Sequence, residues 1–99
     1  MSHLQLAPQE LDIVRRILRQ YVPGIKAMAF GSRATGRARQ WSDLDLILLP
    51  PSALSTETLG DLREAFMESD LPMRVDILDA HRVDEEIRGI AMREAVELP

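Results

Sequence analysis

Asp43 to Leu49 reads DLDLILL, and after its two acids every side chain is Leu or Ile until Pro50-Pro51 stops the run. A stretch this short, aliphatic and sharply bounded predicts a strand with both faces covered, since a strand facing water on one side would alternate with polar residues. Something must pack on each side of it. The neighbouring segments offer helices for both sides. Leu11, Val14, Leu18 and Tyr21, with Ile17 beside them, recur every three or four residues and predict a helix from about Pro8 to Tyr21, closed by Pro23-Gly24. Ile25 to Phe30 reads as a short strand, mostly buried. Gly31 to Ser42 is a polar, Arg-rich loop with two glycines. Ser55 is placed to cap a helix carrying Leu59, Leu62, Ala65 and Phe66 on one face, and Ser69 to Pro72 turns the chain into a third strand, Met73 to Leu78. Asp84 caps a last helix. Glu85 and Glu86 suit its positive first turn, and Ile87, Ile90, Ala91 and Ala95 form its expected buried stripe.

The order helix, strand, loop, strand, helix, strand, helix predicts an α/β domain with a small mixed sheet of about three strands flanked by helices. If the 31 to 42 loop folds back, strands 25 to 30 and 43 to 49 are antiparallel, and Gly31-Ser32 meets Asp43. The helix between strands 43 to 49 and 73 to 78 demands a parallel, right-handed crossover, which brings Asp76 to the same edge of the sheet.

Composition narrows the possibilities. Ninety-nine residues, with 45% hydrophobic and 28% charged, predict one globular domain spanning 1 to 99. The chain has no cysteine, which excludes disulfides, thiolate zinc sites and cysteine nucleophiles and points to a reducing cytoplasm. Met1 to Pro8 lacks the pattern of a secretion signal, and no apolar run approaches the roughly 20 residues a membrane span needs. The net charge of −4 argues against general nucleic-acid binding. Its distribution is uneven: residues 1 to 42 hold seven Lys or Arg against two acids, and 43 to 99 hold five against fourteen. Either a positive patch stands beside a negative one, as an anion and metal site needs, or these are two solvated faces.

Asp43 and Asp45 are two apart on a strand, so their carboxylates share a face with Ile47 and Leu49. Paired acids at the mouth of an apolar face repel, and a divalent cation such as Mg²⁺, which takes one or two carboxylates plus phosphate oxygens, resolves the repulsion. Taken alone, the pair equally fits a solvated strand edge. Gly31-Ser32, directly after a strand, lets backbone N–H groups approach an anion and adds a hydroxyl donor. Arg33, Arg37 and Arg39 occupy the same loop without an acid among them, and Arg suits bidentate phosphate contact. Arg33 is the nearest of them to the expected cradle; the bland alternative for all three is a solvated turn. Asp76 competes for the third acidic position with Asp70, in the preceding turn, and Asp79, on the opposite strand face. Its alternative role is a salt bridge to a neighbouring Arg.

Gly31-Ser32, ten residues and then Asp43-Leu44-Asp45, within GSRATGRARQWSDLDLILL and followed by PMRVDILD, resembles the signature of the minimal nucleotidyltransferases, a branch of the DNA polymerase beta superfamily. The resemblance covers nearly the whole chain. It implies the polymerase beta palm-like fold, with Gly31, Ser32 and Arg33 at the nucleotide. It further implies Asp43, Asp45 and Asp76 as catalytic residues and Mg²⁺ ligands, two ions in all, with Asp76 helping to deprotonate the attacking hydroxyl. The reaction it implies is transfer of a nucleoside monophosphate, AMP from ATP, to an acceptor hydroxyl. Minimal members pair with small all-helical HEPN-type proteins, and in toxin-antitoxin pairs they transfer AMP to a tyrosine of that partner. Two other readings stand beside this one: a non-catalytic antitoxin that neutralises a helical partner by contact, and a transferase to a small molecule. The sequence does not name the acceptor, the base, or the oligomeric state, a homo-oligomer included.

His3 and His81 have no partner at ligand spacing and read as surface residues. Trp41 could stack on a base, although packing is the commoner role. Met28, Met67, Met73 and Met92 read as core filler.

Overall fold

The computed structural model describes residues 4–98; His3 lies outside the described residues. The chain forms α1 (Pro8–Tyr21), β1 (Lys26–Phe30), α2 (Ser32–Thr35), β2 (Leu44–Leu49), α3 (Thr56–Met67), β3 (Val75–Asp79), α4 (Glu85–Glu94) and β4 (Val96–Glu97). Local signals account for most of the helix starts. Pro8 opens α1, and Glu10 reaches back to accept the Ala7 N–H at 2.9 Å. The Ser55 hydroxyl accepts the Thr58 N–H at 3.0 Å, and Asp84 accepts the Ile87 N–H at 2.9 Å. Both are side-chain caps of the expected kind.

The sheet runs β3-β2-β1-β4, with β1 antiparallel to β2 and to β4 and β2 parallel to β3. As expected, β2 lies inside the sheet and buries both faces. Leu44, Leu46 and Leu48 pack with Val14, Leu18, Leu59, Leu62 and Phe66 under α1 and α3. Ile47 packs on the other face with Ala80, Ala91, Met28 and Leu78, under α4. A fully buried Leu contributes about 1.5–3 kcal/mol, so the α1/α3 face carries most of the stability.

Several expectations need correction. The sheet has four strands, because the chain leaves α4 at Ala95 in an extended conformation and Val96–Glu97 pairs with Met28 and Ala29. Ala95 is therefore outside the helix. Ile87 and Ile90 are each 46% exposed, because α4 lies over its sheet face through Ala91. Of the four methionines read as core, only Met73 is buried; Met28 is partly buried, and Met67 and Met92 face solvent. Trp41 is exposed as well. The third strand begins at Val75 and includes Asp79.

Candidate active site

The acids stand on the α4 face, beyond the apolar part of it. On β1, β2 and β3 this face carries Met28 and Phe30, Ile47 and Leu49, and Leu78. Asp45 belongs to the same set, facing Phe30 across the β1/β2 ladder and Asp76 across the β2/β3 ladder. The parallel crossover thus brings Asp45 and Asp76 into direct register. Asp43 precedes β2 by one residue and is exposed. Asp45 and Asp76 line an open groove of about 730 Å³ together with Phe30, Arg63, Arg74 and Leu78. A second groove, about 670 Å³, lies at the other end of β1 beside Arg15, Arg19 and Lys26 and contains none of the predicted site residues.

Electrostatics mark Asp45 as the strained member. Burial pushes its carboxyl up from 3.8 to about 6, and like-charge repulsion from Asp76, then Asp43, then Glu94 adds to the rise. Asp76 has a partial counter-charge in Arg74, whose Nη2 is 3.2 Å from Oδ1. Both side chains are substantially exposed, so the pair is weak and can be exchanged for another cation. Among the described residues, no three His, Cys, Asp or Glu side chains already converge as a metal cluster. The donor set nevertheless fits Mg²⁺. That ion needs one or two carboxylates plus substrate oxygens, and Asp45 and Asp76 are adjacent hard donors whose charges only the exposed Arg74 partly offsets.

The Gly31-Ser32 turn adjoins these acids. Gly31 has φ +76° and ψ −158°, a conformation open essentially to glycine alone, and it opens the single turn α2. A Cβ at this position would collide with Asp45 Oδ2. Ser32 is half-buried at the start of the turn, where the first N–H groups have no acceptor within the helix.

Arg33 is placed differently from the expected phosphate ligand. It is 6% exposed and its guanidinium is used inside the loop: Nε donates to Ser42 O at 2.9 Å, Nη1 to Gln5 O at 2.7 Å and Nη2 to Gln40 O at 3.2 Å. In this position it ties the 31 to 42 loop to the N-terminal segment. Arg37 stays at the surface, with Nη2 3.5 Å from Glu94 Oε2. Asp79, the rival acid, is buried and accepts from Leu54 N and His81 N, with Arg82 Nε 3.9 Å away as an ion pair, so it braces the loops before α3 and after β3. His81 Nε2 lies 2.7 Å from Pro50 O.

Glu94 was not among the expected site residues. Its Oε1 accepts the Gly31 N–H at 3.2 Å. Its one sequence signal is an acid in the last turn of a helix, where the dipole disfavours negative charge.

Fold and site together define a class. The polymerase beta nucleotidyltransferase family model matches residues 13–98, and the chain belongs to that family. Among individual proteins, it is 45% identical over 89 residues to the Haemophilus influenzae protein named "Probable protein adenylyltransferase MntA", covering 90% of this chain and 78% of that one. Solved structures share the fold, two toxin-antitoxin proteins among them. A toxin-antitoxin with AMP-PNP superposes with a TM-score of 0.76 at 21% identity, covering 90% of this chain and 72% of the other. The toxin-antitoxin MntA-HepT gives 0.66 at 19% identity, with 90% and 68% covered. Among the described residues, no helix is long and apolar enough to cross a membrane.

Proposed function

We propose that this nucleotidyltransferase transfers AMP from ATP to a hydroxyl of a HEPN-type helical partner, as the antitoxin of a toxin-antitoxin pair in the cytoplasm. The observation that carries the reading is the ladder pair Asp45 and Asp76 standing beside the Gly31-Ser32 turn. Support for the substrate and acceptor comes from the relatives: the name protein adenylyltransferase, the AMP-PNP in one structure and the MntA-HepT pairing in another.

In this reading the Ser32 hydroxyl and the first N–H groups of α2 hold the phosphate tail of ATP. Asp43, Asp45 and Asp76 would hold Mg²⁺, two ions by the family pattern, which neutralises phosphate charge and acidifies the attacking hydroxyl when bound. The Asp76 carboxylate accepts the proton of that hydroxyl. The hydroxyl oxygen attacks the α-phosphorus in line, a bond forms between them, and the bond to the bridging oxygen breaks as pyrophosphate leaves. Catalysis is then mainly positioning and electrostatics, with no covalent enzyme intermediate. Arg33 contributes indirectly by fixing the loop that carries Ser32 and leads into Asp43.

The test is incubation with α-labelled ATP, Mg²⁺ and a co-purified HEPN-type partner. Label on the partner with wild type, and none with Asp43→Asn or Asp45→Asn, is the expected result. A tight complex without label would replace this reading with neutralisation by contact. Label on a small molecule alone would replace the protein acceptor.

A further inference from the structure

Glu94 is the last residue of α4, and the chain becomes extended immediately after it. In the β1/β4 ladder Ala29 faces Val96 and Met28 faces Glu97. Carried two residues on, that register sets Gly31 opposite position 94. There the backbone is helical, so no main-chain carbonyl is presented to the Gly31 N–H. The Glu94 side chain fills this role, with Oε1 3.2 Å from the Gly31 nitrogen. Its other oxygen, Oε2, is 3.5 Å from Arg37 Nη2. One carboxylate therefore holds the first residue of the turn and an arginine at its far side.

The location is costly for an acid. Glu94 sits at the negative end of a helix and close enough to Asp45 to repel it. An alanine would avoid both penalties, so helix stability alone does not explain a hydrogen-bonding side chain here. Its bond falls on the residue whose φ and ψ determine where Ser32 points.

We infer that Glu94 is a positioning residue of the nucleotide cradle, acting as the acceptor that holds the Gly31 N–H and so aims the Gly31-Ser32 turn at the phosphates. This inference rests on the nucleotide-transfer reading above. What matters is an acceptor at that distance. Gln retains the acceptor without the charge. Ala removes it, and Asp is one methylene too short to reach.

The test measures two quantities on the full chain: exchange of the Gly31 amide by NMR without ligand, and affinity for a non-hydrolysable ATP analogue with Mg²⁺ by calorimetry. Glu94→Ala and Glu94→Asp should each speed Gly31 exchange and weaken the analogue about tenfold, the scale of one hydrogen bond. In transfer assays they should raise KM for ATP more than they lower kcat. Glu94→Gln should stay within about threefold of wild type on every measure. Wild-type behaviour of Glu94→Asp would overturn the inference, as would a Glu94→Gln variant as impaired as Glu94→Ala. Tighter binding by Glu94→Gln would overturn it in another way, by making the carboxylate a competitor of phosphate. Should Glu94→Ala fail to fold, the Asp and Gln variants decide. If wild type binds no nucleotide, the transfer reading fails, whereas unchanged Gly31 exchange in Glu94→Asp counts against Glu94 alone.

Discussion

The carboxylate of Asp45 lies against Gly31 so closely that a single added methyl carbon would overlap Oδ2. The glycine therefore meets two demands, a backbone conformation closed to other residues and direct contact between the turn and the acid.

Gly31→Ala should violate both. The backbone cost alone is about 1–3 kcal/mol, and the displaced Asp45 should lose its register with Asp76. The variant is expected to melt several degrees lower and to lose transfer almost completely. A thermal melt together with the label assay checks this; an active, equally stable variant would contradict the contact.

Asp45→Asn should abolish transfer and leave the fold intact, because it removes a repelled, half-buried charge and keeps the shape. The pH dependence follows from the raised carboxyl. Its folded value of about 6 lies above the usual 3.8, so the folded state binds the extra proton. Without metal, wild type should lose stability as pH rises from about 4 to about 6, and Asp45→Asn should not show this component. Denaturant titrations of both proteins across that range measure the difference. Affinity for Mg²⁺ should weaken as pH drops below about 6, because the cation must then displace the Asp45 proton, and transfer at limiting Mg²⁺ should fall with it.

Arg33→Ala should be chiefly a folding defect. Removing a buried guanidinium that serves three carbonyls is expected to cost about 3 kcal/mol or more. Arg33→Lys should recover little, since a point ammonium does not reproduce three fixed donors. Melting temperatures decide the matter: a stable Arg33→Lys with only KM for ATP altered would return Arg33 to the phosphates.

Trp41 is 66% exposed and is the sole tryptophan. Trp41→Ala should change stability by less than about 0.5 kcal/mol. Wild-type emission should be that of a solvated indole and should shift if nucleotide or partner covers the loop, so a titration followed by fluorescence reports on occupancy.

Much of this arrangement was legible from local pattern. The alternation of side chains along a strand is a property of the backbone, so Asp45 was bound to share a face with Ile47 and Leu49 once this run was read as a strand, whereas Asp43, expected as its first residue, precedes β2 by one position. The crossover through α3 carried Asp76 into register with Asp45, because a parallel connection of that length has essentially one hand. The caps at Ser55 and Asp84 are equally local. Less was legible in α4. The spacing of Ile87, Ile90 and Ala91 shows that an apolar stripe exists, but which part of it meets the sheet depends on how closely the helix approaches, and here the small Ala91 makes the contact.

By itself, then, the sequence determined the three longer helices, the first three strands, the face on which Asp45 stands and the glycine turn beside it, since each follows from the periodicity or torsional preference of a few consecutive residues. Tertiary structure alone decided that Arg33 holds carbonyls from Gln5, Gln40 and Ser42, that Val96–Glu97 adds a fourth strand, and that Glu94 accepts a hydrogen bond from Gly31. Every residue has a main-chain carbonyl and nearly every one an N–H, so nothing in the order of side chains marks which of them a distant arginine or glutamate will reach; that choice is made when the chain folds back on itself.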